Sequence, residues 1–260
     1  MKLPKKTIGV LDLNIDNLYL LNSLRETFKN DDIYYINDTS VENVDEINKD
    51  ELNEIIANNL NYLLSKNIEV LLVVSDSIVE FCNELFSELQ IPVFNIIDET
   101  VNFVNEAYEY KNVGFLSTNS MIEANIYQKN IRYNHLYTMN GDELIKVIRT
   151  NLVKTSESFQ ETKNVIAPVY KKDLDIIVPS ICNYLMVKTE IHEYLKDVEI
   201  INVIELLVNC VKNTLYKDQE LPQKGKGITY LCSNQAIEEK SINRILKDKY
   251  KLINTNETTK

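Results

Sequence analysis

The sequence predicts an α/β fold in which strands form mostly parallel sheets flanked by helices. Short apolar runs bounded by turn residues alternate with longer amphipathic stretches, which is typical of repeated strand–helix units. Two runs, residues 70–74 and 176–178, are continuously apolar, as in strands buried on both faces of a parallel sheet. For 260 residues with 44% hydrophobic content, we expect one α/β unit or two smaller α/β halves that share an interface.

The elements follow from the apolar pattern along the chain. Runs rich in β-branched and aromatic residues predict strands at 6–11 (KTIGVL), 32–36 (DIYYI), 70–74 (VLLVV), 93–96 (VFNI), 112–116 (NVGFL), 135–138 (HLYT), 174–178 (LDIIV), 199–202 (EIIN) and 227–231 (GITYL). The stretches between them predict helices at 16–28, 50–65, 77–89, 100–108, 120–130, 141–153, 183–194, 205–215 and 235–246. The basic, turn-rich segment 221–226 (LPQKGK) is the best linker candidate.

Composition excludes several classes of function. The chain has 28 Lys and Arg against 39 Asp and Glu, a net charge of −11, and so lacks the basic face of a nucleic-acid binder. Its five glycines form neither a dinucleotide fingerprint nor a phosphate-binding P-loop. Its two histidines, His135 and His192, are too few for a histidine-rich metal site. We expect no nucleic-acid partner, no metal and no cofactor.

The cysteines and the first residues predict a cytoplasmic location. The cysteines are scattered, which suits reduced thiols better than a disulfide framework or a zinc site; they are Cys82, Cys182, Cys210 and Cys232. The apolar stretch that follows the first lysines is broken at Asp12, so we expect no export signal and no membrane association.

Three strand ends carry polar groups. One strand ends on Asp12, a second runs into residues 75–77 (SDS), and a third runs into residues 180–183 (SICN). Reactive groups of parallel sheets gather just beyond the carboxyl ends of the strands. The similar arrangement around Ser75 and Ser180, about a hundred residues apart, suggests two related halves facing one cleft.

Each of these side chains also has a structural interpretation. Asp12 could cap the turn that follows it, and Ser and Asn side chains are favoured helix caps, which applies to Ser75, Ser77, Ser180 and Asn183. A buried Cys182 would behave as a small hydrophobic residue. The two histidines match no catalytic position, so we expect them to be structural.

Several motifs resemble those of the cofactor-independent glutamate racemases of the aspartate/glutamate racemase superfamily. The family's opening I-G-V-F-D-S-G is similar to residues 8–12 (IGVLD), and its Y-F-G-D-T to residues 34–39 (YYINDT). Its V-V-A-C-N-T-A resembles residues 73–77 (VVSDS). Further matches, in chain order, fall on residues 113–127, 176–186 and 229–234.

The resemblance implies two pseudo-twofold-related α/β halves, residues 1–97 with 208–260 and residues 98–207, with an active-site cleft between them. In the family, two cysteine thiols flank the α-carbon of the substrate; one removes its proton and the other delivers a proton to the opposite face. The matching positions here are Ser75 and Ser180, beside Asp12. Family members commonly form homodimers, so a homodimer is our expectation. Some members bind DNA gyrase, with which the acidic charge of this chain is compatible, but no motif in the sequence indicates such binding.

The positions that hold substrate in the family are also changed. A family hydroxyl is replaced by Leu13 and another by Ile181, an Asn by Asp76, and a His by Cys182, while Ser77 keeps a hydroxyl. Asp76 presents a negative charge to the substrate carboxylate. The family's P-Y-G has no counterpart in residues 40–44. An amino-acid ligand is therefore expected to bind only weakly.

Two hypotheses follow. In the first, the chain is a catalytically degenerate racemase homologue, a pseudoenzyme, that serves as a binding or assembly module. In the second, it is a functional isomerase, either a slow racemase that supplies D-glutamate for peptidoglycan or a relative with different chemistry, acting through Asp12, Ser75, Ser180 and Cys182.

Overall fold

The computed structural model describes residues 3–38, 47–217, 219–234 and 239–255. It divides the chain into two compact units. Unit 1 comprises residues 1–96 and 207–260, and unit 2 comprises residues 97–206. In the part of the chain that is described, no helix has the length and apolar composition needed to cross a membrane.

The strands are short, as expected for parallel α/β units. In chain order they are β1 (Thr7–Asp12), β2 (Asp32–Asn37), β3 (Val70–Val73), β4 (Val93–Asn95), β5 (Asn112–Ser117), β6 (His135–Asn140), β7 (Ile176–Pro179), β8 (Glu199–Ile200), β9 (Thr229–Ser233) and β10 (Tyr250–Asn254). Unit 1 holds a sheet of order β10-β9-β2-β1-β3-β4, and unit 2 a sheet of order β6-β5-β7-β8. All strand pairs described in the two sheets are parallel.

Helices connect the strands and cover the sheets. They are α1 (Leu20–Thr27), α2 (Lys49–Leu64), α3 (Asp76–Cys82), α4 (Ile96–Ala107), α5 (Asn119–Ala124), α6 (Ile126–Asn130), α7 (Asp142–Arg149), α8 (Ser156–Ile166), α9 (Lys188–Tyr194), α10 (Val203–Tyr216) and α11 (Glu239–Ile245). Short 3-10 helices lie at Asn83–Phe86, Ala167–Val169 and Cys182–Val187. The start of α2 shows why it forms there: the Asn48 side chain accepts a hydrogen bond from the Glu51 N–H, and acids in the first turn complement the helix dipole.

The core of each unit is built on its central strands. In unit 1, the four residues of β3 are all buried, and β1 is buried from Ile8 to its end. In unit 2, residues of β5, β6 and β7 join a cluster that includes Leu144, Ile148 and Ile191 from the helices. The continuous apolar runs predicted as buried strands are therefore confirmed.

Some predicted elements are corrected by the structure. Helix α8 and strand β10 were not predicted, and α1 begins at Leu20 rather than at residue 16 because residues 13–15 form a bend and residues 16–19 form turns. The helix predicted at 120–130 is divided at Asn125, whose φ of 61° is left-handed and ends α5. Part of the predicted helix 235–246 and the motif positions 39–44 lie outside the described residues.

Candidate functional site

Asp12 is the last residue of β1 and lies at the carboxyl edge of the unit 1 sheet. It is fully buried and pairs in register with Asn37, the last residue of β2. Residues paired in this way on neighbouring parallel strands direct their side chains to the same face. Tyr35 precedes Asn37 by two residues and shares that face.

The Asp12 carboxyl group is held by three donors. The Tyr35 hydroxyl donates to Oδ2 at 2.5 Å, the Leu13 N–H donates to Oδ1 at 2.9 Å, and the Asn17 amide lies 3.4 Å from Oδ1. Burial nevertheless raises the pKa of Asp12 to about 7, and the nearby Asp16 raises it further, against the lowering effect of these bonds. Since desolvation disfavours the charged form, Asp12 can release or take up a proton near neutral pH.

Asn37 is a second polar group at this edge. Its side chain is 2% exposed, and neither Oδ1 nor Nδ2 has a hydrogen-bond partner among the described residues. A buried amide without partners costs free energy, and such groups are uncommon in folded proteins. Within the described part of the chain, a donor and an acceptor without partners therefore lie on the strand next to that of Asp12.

Asp38 takes part in a separate network. Its carboxylate accepts hydrogen bonds from the amide of Asn59, on α2, and from that of Asn234, after β9, both at 2.6 Å. These three residues border a pocket of about 560 Å³ beside α2. The two amides hold this acid in place.

Ser75 stands at the N-cap position of α3 with an extended backbone, but its side chain makes no capping hydrogen bond. The capping role expected for its hydroxyl is therefore wrong, although the position is right. Asp76 begins α3 and Ser77 lies within it, so Ser77 is not a cap either. Ser75 and Asp76 are each 7% exposed.

The corresponding edge of unit 2 carries a pair of serines. The Ser180 hydroxyl lies 2.7 Å from the hydroxyl of Ser117, the last residue of β5, and both side chains are buried. The Ser180 N–H donates to the carbonyl oxygen of Leu116 at 2.9 Å, which continues the strand pairing. Ile181, not Ser180, precedes the 3-10 helix. The expected capping role of Ser180 is therefore wrong.

The remaining positions that the racemase resemblance assigns to substrate binding are occupied by buried apolar side chains. Leu13 is buried beside Asp12, and Ile181 and Cys182 are buried beside Ser180. Cys182 thus has the burial expected of a small hydrophobic residue. All four cysteines are free thiols.

The histidines lie apart from the serine hydroxyls. His135 is the exposed first residue of β6, at the end of the strand opposite the Ser117 edge. The His192 Nε2 lies 3.1 Å from the carbonyl oxygen of Val198. Within the described residues, no group of three or more His, Cys, Asp or Glu side chains could hold a metal ion.

Sequence comparison relates the chain to known glutamate racemases. No family model matches the chain. A glutamate racemase of Aquifex pyrophilus is 22% identical over 218 residues, which cover 81% of this chain and 84% of the relative. The chain is a divergent homologue of the glutamate racemases.

Solved structures show the shared fold. The Thermus thermophilus glutamate racemase in complex with β-chloro-D-alanine has a TM-score of 0.82 at 18% identity, covering 98% of this chain and all of that one. The glutamate racemase isoform RacE1 of Bacillus anthracis has a TM-score of 0.81 at 19% identity, covering 95% and 96%. The α/β glutamate racemase fold, with two mostly parallel sheets, is therefore confirmed.

Three polar residues of this racemase homologue were missed by sequence reasoning. The Tyr35 side chain contacts Asp12, and the Ser117 side chain contacts Ser180, in each case from a neighbouring strand. Asn37 ends β2 beside Asp12. The available signal was their position close to the carboxyl ends of predicted strands, with Tyr35 one residue before the end and Asn37 and Ser117 one residue beyond it, because polar residues at carboxyl ends of parallel strands gather at one edge.

Proposed function

We propose that this chain is a catalytically degenerate homologue of the glutamate racemases that has lost cofactor-free racemisation and serves as a binding or assembly module. The observation that carries the proposal is the buried Ser117–Ser180 hydroxyl pair. On the motif resemblance, Ser180 occupies the position of one racemase thiol and Ser75 that of the other.

A hydroxyl bonded to a hydroxyl is not an acid–base catalyst near neutral pH. A thiol has a pKa near 8.5, whereas an alcohol is a far weaker acid, with a pKa close to that of water. Forming the alkoxide therefore costs roughly seven pKa units more, about 10 kcal/mol. A base can activate a serine, but Ser180 bonds to another neutral hydroxyl. Among the described residues, neither His135 nor His192 makes a hydrogen bond to a serine.

Ser75 has a carboxylate neighbour in sequence, Asp76, but not the imidazole that usually accepts a serine proton. On the resemblance, Asp76 also places a negative charge where the racemases present an amide to the substrate carboxylate. Leu13 and Ile181 offer no hydroxyl to a ligand. The substitutions thus weaken both proton transfer and the binding of glutamate.

One observation favours a functional amino-acid isomerase as the second candidate. The pKa of Asp12 is about 7, and groups that titrate near the working pH are suited to general acid–base catalysis. The amide of Asn37, which has no partner among the described residues, could bind a carboxylate or an ammonium group beside it. A carboxyl group in place of a thiol would then move the proton.

We further propose that the protein is a cytoplasmic homodimer. The proposal of a dimer rests on the family resemblance. The cytoplasmic location is supported by the four free cysteines, since scattered free thiols are typical of reducing compartments.

Circular dichroism separates the two candidates. The purified chain, at high concentration, is incubated for hours with L-glutamate and in parallel with D-glutamate. We expect the ellipticity of each enantiomer to stay at the level of a protein-free control. Loss of ellipticity that disappears in Ser75→Ala, Ser180→Ala or Asp12→Asn, but persists in the exposed control Ser87→Ala, would establish an active isomerase instead.

A further inference from the structure

A second polar pocket lies on the opposite side of unit 1 from Asp12. It has a volume of about 750 Å³. Its walls come from α1 and the turn after it, from the basic segment 223–227 that precedes β9, and from the turn that precedes β10. These turns lead into the amino ends of β2, β9 and β10, whereas Asp12 lies at a carboxyl end.

The charge of this pocket departs from that of the whole chain. Four of its lining residues are cations and two are acids, in a protein with a net charge of −11. The cations are Arg25, Lys29, Lys224 and Lys247, and the acids are Glu26 and Asp248. The segment first predicted as a linker therefore contributes to a local cluster of positive charge.

Arg25 provides the second, independent observation. Its side chain is 8% exposed, and its Nη2 donates to the carbonyl oxygens of Phe28 and Asp31. Its Nη1 is buried and has no hydrogen-bond partner among the described residues. The carboxylates of Asp31, Asp32 and Asp248 act on Arg25 electrostatically, but none of them bonds to Nη1 among the described residues. Asp31 Oδ1 instead accepts bonds from the Tyr216 hydroxyl and the Lys6 N–H.

The basic segment is fixed against the pocket wall by close backbone packing. A Cβ atom added at Gly225 would lie 2.1 Å from the carbonyl oxygen of Lys29, and one added at Gly227 would lie 2.1 Å from that of Asp31. The Gly227 N–H also donates to the Lys29 carbonyl oxygen at 3.0 Å. Only glycine fits such an approach, so Lys224 is presented from an anchored backbone.

We propose that this pocket binds the phosphate groups of a small phosphorylated molecule. A guanidinium with an unpartnered donor, in the wall of a pocket that three lysines also line, is suited to an oxyanion with several acceptor oxygens. Phosphate supplies three such oxygens and close to two negative charges. The volume lies in the range of small-molecule sites, and the acidic chain as a whole would repel a nucleic-acid polymer.

Isothermal titration calorimetry with sodium pyrophosphate and with inorganic phosphate tests the proposal on the full chain. We expect pyrophosphate to bind with submillimolar affinity and more tightly than phosphate. The double variant Lys29→Gln with Lys224→Gln should weaken pyrophosphate binding by about a hundredfold, roughly tenfold for each charge-assisted bond removed. Lys171→Gln, an exposed lysine of unit 2, should bind as the parent chain does.

Lys224 is exposed and Lys29 is only partly buried, so circular dichroism should show a folded double variant. Gly225→Ala gives an independent test, because its Cβ would displace the segment that carries Lys224, and it should also weaken binding. Absence of pyrophosphate binding to the parent chain would overturn the proposal. Equal weakening by Lys171→Gln, or tighter binding of a DNA duplex through the same lysines, would overturn it as well.

Discussion

At the scale of single residues, the feature with the clearest physical consequence is the buried carboxyl group of Asp12. Its donors are Tyr35, Asn17 and the Leu13 N–H, yet burial dominates and raises its pKa to about 7. In an unfolded chain the pKa of an aspartate is about 3.9. The folded protein therefore binds a proton more tightly at this position than the unfolded chain does.

This difference predicts how stability depends on pH. Because the pKa of Asp12 is raised on folding, its protonated form stabilises the fold at low pH, and that contribution is lost as the pH rises from about 4 to about 7. The pKa difference of about 3 corresponds to about 4 kcal/mol over this whole range, of which about 3 kcal/mol falls between pH 5 and pH 8. Asp12→Asn, which mimics the neutral acid, should remove this loss, as measured by urea unfolding at pH 5 and pH 8.

The exposed control Asp197→Asn should retain the pH dependence of the parent chain. If Asp12→Asn has the same difference in unfolding free energy between pH 5 and pH 8 as the parent, Asp12 does not titrate in this range. The role assigned to it in the alternative function would then be withdrawn.

At the scale of elements, the sequence predicts strands better than helices. Every predicted strand is present with ends shifted by a few residues, because continuous apolar runs identify strands buried in a sheet. Helix α8 was missed because two of the four residues it buries are polar, Ser158 and Thr162, beside Val165 and Ile166. Its apolar pattern is therefore too sparse for the helical period to be recognised.

The start of α8 is fixed by hydrogen bonds between the side chains and the backbone of its first residues, rather than by an apolar pattern. The Thr155 side chain accepts from the Ser158 N–H, and the Ser158 hydroxyl accepts from the Thr155 N–H, forming a capping box. Thr155→Ala should lower the free energy of unfolding by about 1 kcal/mol, measured by urea denaturation. Thr155→Ser keeps the hydroxyl and should retain most of the stability. Equal losses in both variants would show that the methyl group, not the cap, matters.

At the scale of the whole molecule, the fold and the strand ends were predictable, but the contacts between side chains were not. Asp12 ends β1, and Ser75 and Ser180 lie just beyond β3 and β7, as strand periodicity indicates. Tyr35, which bonds to Asp12, and Ser117, which bonds to Ser180, come from neighbouring strands. These contacts depend on the order of the strands in the sheet, which cannot be deduced from the sequence of any single strand. In the same way, the net negative charge of the whole chain gives no indication of the basic pocket around Arg25.

We propose that this racemase homologue no longer abstracts the α-proton of glutamate. Proton NMR of D-glutamate in deuterated buffer tests it most directly, because exchange of the α-proton is detected even when the configuration is retained. We expect the α-proton signal to decay no faster with the chain at high concentration than in buffer alone. Faster decay that is abolished by Ser75→Ala or Ser180→Ala would contradict the claim and show that the serines replace the thiols in catalysis.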